Sequence, residues 1–183
     1  MSVDASQIVN RCLAFTRIQL QSAEFSNDPF AKKAYLYAAG LHLSEAMSHY
    51  CVELGIIEYL QLEKIGSLHS LIQHIRKIPL TSWDFRAQYI ADMISESGSW
   101  LNTLNNIQNH LKQPPKATPN RTDLENSDSN EDEYDQPLLI ATTSAESSDD
   151  RDYSLAKIEA QTEWVLRSFE EVIYQQREYS AEY

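Results

Sequence analysis

Turn-forming residues are scarce in this chain. Only 4 glycines and 6 prolines occur among 183 residues, too few for a turn-rich sheet protein and consistent with long helices. Cysteine is nearly absent as well. Cys12 and Cys51 show no Cys-x-x-Cys spacing and sit inside helical apolar patterns, so they read as buried free thiols of a reducing compartment rather than as a disulfide. No apolar run approaches the roughly 20 residues that a spanning helix needs. The opening MSVDASQIVNRCLAF has an acid at Asp4 and no long apolar centre, unlike a signal peptide or membrane anchor. Positive charge is also in deficit. Fifteen Lys and Arg stand against 27 Asp and Glu, a net charge of −12, which argues against nucleic acid as a ligand because that binding draws its affinity from basic contacts to phosphate. These absences describe a soluble cytoplasmic protein that engages neither nucleic acid nor membrane.

Catalytic signatures are missing too. There is no Gly-x-Ser-x-Gly elbow and no phosphate-binding glycine loop. A small bundle with polar interior residues superficially resembles the helical HEPN nucleases, but no Arg is followed by a His at that family's spacing of four to six residues. A non-catalytic protein without a cofactor is therefore the leading expectation, and an enzyme the minority one.

The residues present suit one helical domain spanning 1–183, since 42% of them are hydrophobic and this length buries most of a single core. The first helix runs from about Asp4 to Phe25, with Ile8, Cys12, Phe15 and Ser22 on one line and Val9, Thr16, Leu20 and Ala23 beside it. Asp28-Pro29 starts the second, because the carboxylate caps and the proline lacks an N–H that would go unpaired there. Leu36, Gly40, Leu43, Met47, Tyr50, Leu54 and Ile57 alternate spacings of four and three, the mark of a bundle seam in which Gly40 admits a neighbouring helix. Gly55 divides off a segment Ile56–Lys64. A shorter helix capped by Ser67 stops before Pro79. Thr81 and Asp84 form an acidic variant of the capping box, opening a fourth helix near Ser82 whose stripe is Ala87, Ile90, Ile94, Ser97, Leu101, Leu104 and Leu111.

Residues 114–152 break the pattern. They carry eleven acidic side chains and three basic ones, −8 of the total −12, and a composition that cannot bury enough apolar surface to offset ordering entropy. An acidic mobile loop is expected there. A last helix then resumes the stripe through Leu155, Ile158, Thr162, Val165, Phe169 and Val172. The fold class expected is all-α: an antiparallel bundle of about five helices, with a long acidic disordered loop before the last.

Two places stand out as candidate sites. On the second helix His42, Glu45, His49 and Glu53 share a polar face, with His42, His49 and Glu53 within about 40° of one another at about 100° per residue. Imidazoles and carboxylates are plausible ligands for zinc or iron in a bundle. The di-iron Glu-x-x-His pattern, however, is absent, and hydrogen bonding across a helix interface or to water is the plainer role. The second place is Leu138, Leu139, Ile140 and Ala141, an apolar island in the acidic loop. It reads either as an anchor docked on the bundle or as a linear motif for a protein partner.

The tyrosine-rich second helix with its histidines, the long helix near 83–112, the acidic loop, the LLIA tetrapeptide and the closing helix together resemble small uncharacterised helical proteins of gammaproteobacteria, a family with a domain of unknown function. The likeness covers most of the chain outside the loop and implies nothing about function. The expected function is a non-catalytic cytoplasmic protein-interaction or regulatory module with an unknown partner, the alternative being a metal-dependent or otherwise catalytic bundle using the His/Glu face.

Overall fold

The computed structural model describes residues 4–78, 85–112 and 148–181, with the side chains of 112, 148–154 and 179–181 excepted. Among these residues the chain forms seven helices and no strand. They are α1 (Ala5–Glu24), α2 (Pro29–Glu53), α3 (Tyr59–Ile65), α4 (Leu68–Ile75), α5 (Phe85–Ser95), α6 (Trp100–Lys112) and α7 (Ser148–Ala181).

Local chemistry sets the helix starts. Asp4 accepts from the Ser6 amide at 3.0 Å, Asp28 from the Phe30 amide at 3.0 Å with Pro29 beside it, and Ser67 from the Ser70 amide at 3.2 Å, so each satisfies an N–H with no intrahelical partner. α2 ends at Glu53, two residues before Gly55, whose φ of +69° is open to glycine at little cost. The expected fourth helix is two helices. Gly98, at φ +94°, turns the chain between α5 and α6, and Ser99 caps α6 by accepting from the Asn102 amide at 3.2 Å. Asn102 and Arg76 both donate to the Ile94 carbonyl, at 3.3 and 3.2 Å, where a continuing helix would have used it. Ser97 accordingly lies exposed in the turn, off the stripe to which its spacing assigned it. The Thr81–Asp84 capping box lies outside the described residues.

α1, α2, α6 and α7 make the bundle. α1 packs on α2 and α7, and α2 also meets α4, α6 and α7, which places α2 at the centre. Ion pairs and hydrogen bonds give the directions. Lys32 meets Glu159, Tyr50 meets Gln176 and Glu53 meets Arg177, so numbers rise together and α2 runs parallel to α7. Arg17 meets Glu170 and Asn10 meets Arg177, so α1 is antiparallel to α7. The result is an up-down-up-down arrangement in which α2 and α7 share one direction.

The expected stripes are where the core sits. Leu36, Leu43, Met47 and Tyr50 of α2, Leu101 and Leu104 of α6, and Val165 and Phe169 of α7 are fully buried. Trp100 stacks on Phe169 at 4.9 Å between centroids, and Tyr50 meets the same ring edge-on at 5.5 Å, the two preferred aromatic geometries. Gly40 faces α6, but a Cβ there would lie 3.9 Å from Gln108 Cγ, an ordinary contact. What passes between the helices at this point is polar. Gln108 donates from Nε2 to the Gly40 carbonyl at 3.0 Å and to Ser44 Oγ, pairing buried groups that would otherwise be costly.

α7 begins at Ser148, so the last five residues assigned by composition to the acidic loop, 148–152, are helical. The rest of that stretch, including Leu138, Leu139, Ile140 and Ala141, lies outside the described residues.

Candidate functional site

α1 and α2 form a hairpin joined by residues 25–28. Their register shows in Phe15, whose ring lies 5.3 Å from that of His42, and in Cys12, whose thiol stands beside the Glu45 carboxylate. Each pair sums to 57, as antiparallel neighbours do. Cys12, His42 and Glu45 thereby converge, each offering one ligand atom within 4.8 Å of the others. His42 Nδ1 and Glu45 Oε2 stand 3.9 Å apart. Cys12 is buried, while the His42 and Glu45 side chains are 28% and 52% exposed, so the cluster opens to solvent on its α2 side.

Burial pushes the Cys12 thiol up to about 11, with the Glu45 charge and hydrogen bond acting in the same direction and Arg11 against. The group is a thiol at neutral pH, not a nucleophilic thiolate. Cys51 is free as well and fully buried, which pushes it up to about 12.

The other two residues of the polar face go elsewhere. His49 lies against Tyr59, ring centroids 5.5 Å apart, with Nδ1 buried and lacking a hydrogen-bond partner. Burial lowers its pKa, Arg11 acting the same way and Glu45 opposing. Glu53 accepts from Arg177 Nε and Nη2, both at 2.8 Å, while Arg177 Nη1 donates to Asn10 at 2.9 Å. The hydrogen bond to Glu53 raises the Arg177 pKa. Tyr50 donates to Gln176 beside this pair, and burial, then the Glu53 charge, raises its pKa too.

The four-residue constellation expected from helical angle therefore divides. His42 and Glu45 come together; His49 and Glu53 do not join them. Angle ignores height: eleven residues at 1.5 Å rise separate His42 from Glu53 by about 16 Å along the axis. The third member of the cluster, Cys12, comes from a different helix. Its i, i+4 place on the apolar line of α1 made it a core residue, and no local spacing marks it as a partner of His42.

The same hairpin carries an unusual outer surface. Phe15 and Ile18 of α1, Phe25 at its C-cap, and Phe30 and Leu41 of α2 are exposed, Ile18 by 55% and Phe30 by 84%. Ala34 of α2 is exposed between the latter two. By the hairpin register, Ile18 stands level with Ala39. Tyr35 and Tyr37, which commonly fill cores in bundles, are exposed here as well. A pocket between α4 and α5 lined by Ile75, Arg76, Ala91, Asp92 and Ile94 measures about 120 Å³, below the roughly 300–1,000 Å³ of small-molecule sites. No helix among the described residues is long and apolar enough to cross a membrane.

Comparison with known proteins returned no matching family, curated protein or solved structure.

Proposed function

We propose that this protein is a non-catalytic cytoplasmic interaction module that docks an amphipathic helix of another protein on the outer face of the α1–α2 hairpin. The exposed apolar stripes carry this reading. Phe15, Ile18 and Phe25 recur at spacings of three and seven, and Phe30, Ala34 and Leu41 at four and seven, so each line runs along its helix axis. Contiguous apolar surface of this kind marks interaction sites, and paired stripes suit a helix laid between them.

Charge selects the occupant. The chain carries −12, of which −8 lies in residues 114–152, while residues 5–53 balance Glu24, Asp28, Glu45 and Glu53 against Arg11, Arg17, Lys32 and Lys33, so it is the field of the whole chain that steers a helix with a Lys- and Arg-rich polar side. A synthetic helix of Leu/Lys heptads is the probe. It should gain helicity on titration with the protein. Ile18→Gln with Leu41→Gln, which leaves net charge unchanged, should weaken binding by about tenfold or more, because two aliphatic contacts of about 1.5–3 kcal/mol each are removed. Equal affinity for the variant would mean that binding is only electrostatic and would sink the proposal. So would a wild-type dimer that Ile18→Gln converts to monomer, which would assign the face to a second copy of this chain.

A further inference from the structure

Cys12, His42 and Glu45 unite a thiol, an imidazole and a carboxylate from two helices, and we propose that they bind a borderline-soft divalent transition metal, Zn²⁺ or Co²⁺, through Cys12 Sγ, His42 Nδ1 and a Glu45 oxygen. The site adjoins the proposed docking face, but its test does not depend on helix docking.

The donor set selects the metal. Sulfur and imidazole favour zinc and its neighbours over Mg²⁺ and Ca²⁺, which take oxygen ligands. Bond lengths near 2.3 Å to sulfur and 2.0–2.2 Å to nitrogen and oxygen imply ligand atoms roughly 3.3–3.8 Å apart in a tetrahedral site. The observed spacing, within 4.8 Å, therefore needs to close by about an ångström. His42 and Glu45 are the partly exposed members and have room to turn, whereas Cys12 is fixed in the α1–α2 seam. Three protein ligands leave the fourth position to water on the solvent side.

Cys12 carries its proton at neutral pH and stands beside the Glu45 carboxylate. Metal binding forms the metal–sulfur bond as the S–H bond breaks, and the proton leaves to solvent.

Cobalt titration of the full chain, purified without a histidine tag, tests the assignment. One equivalent of Co²⁺ should produce a near-ultraviolet thiolate-to-cobalt charge-transfer band that one equivalent of Zn²⁺ bleaches. Cys12→Ser should abolish the band and Cys51→Ser should retain it. His42→Ala and Glu45→Gln should each weaken binding by at least the roughly tenfold that even outer-shell partners contribute. Helix content by circular dichroism confirms that each variant is folded. Should Cys12→Ser fail to fold, the partly exposed His42 decides, since unchanged affinity in His42→Ala overturns the site. Absence of stoichiometric cobalt binding by the wild type, or a band that survives in Cys12→Ser, also overturns it.

Discussion

Two polar clusters share α2, eight residues or about 12 Å apart, and they differ in how completely their members are paired. At the C-terminal end, Glu53 receives two hydrogen bonds from Arg177, which also holds Asn10, and Tyr50 donates to Gln176. Three helices contribute, and every named group has a partner. At the middle of the helix, His42 and Glu45 stand 3.9 Å apart and partly exposed, with Cys12 as the third member and no cation brought to them. Similar residue types on one helix thus acquire opposite characters. The difference is α7, which brings a cation across the first cluster, whereas the second opens to solvent through His42 and Glu45. A cluster completed by the fold has no valence left for a ligand; one left incomplete keeps its donor atoms available.

The largest expected effect breaks the complete cluster. Arg177→Ala strands the Glu53 carboxylate, and because the two side chains are 32% and 20% exposed, the loss should be about 1–3 kcal/mol, less than for a fully buried pair. A urea midpoint unchanged from wild type would show that the pair is solvated and the contrast unfounded. Tyr50→Phe removes only the hydroxyl given to Gln176 and should cost about 0.5–1.5 kcal/mol in the same assay. In the incomplete cluster, Glu45→Ala should change stability by no more than about 0.5 kcal/mol, as for other surface sites. A loss comparable with that of Arg177→Ala would mean that Glu45 supports the hairpin.

The smallest effect is in pH dependence. His49 is held below its ordinary value of 6.5, first by burial. Just below that pH the unfolded chain binds a proton that the folded protein does not, so stability falls as pH drops through this window. His49→Gln lacks that contribution. Its denaturation midpoint should therefore fall less than the wild type's between about pH 7 and about pH 6; parallel profiles would place His49 in water.

The α2 seam through Leu36, Gly40, Leu43, Met47 and Tyr50, the caps at Asp28 and Ser67, and the apolar line from Ile158 to Val172 were all legible in the sequence, whereas Leu54 and Ile57, expected on the same seam, lie beyond the end of α2. Each depends on residues a few positions apart, and helical periodicity converts such spacing directly into a face. The break at Gly98 was harder to read, because a lone glycine inside an apolar stripe is often accommodated by a continuous helix. Here Arg76 and Asn102, from outside α5, take the carbonyl of Ile94. The site followed the same rule. That His42 and Glu45 lie on a shared side of α2 is local geometry, and the sequence by itself determined it. Cys12 joins them from 30 residues away and Arg177 takes Glu53 from 124 residues away. Only tertiary packing decided those partners, because the antiparallel register of α1 and the parallel course of α7 are set by the interlocking of whole apolar faces. No spacing within one helix encodes which group a neighbouring helix will bring.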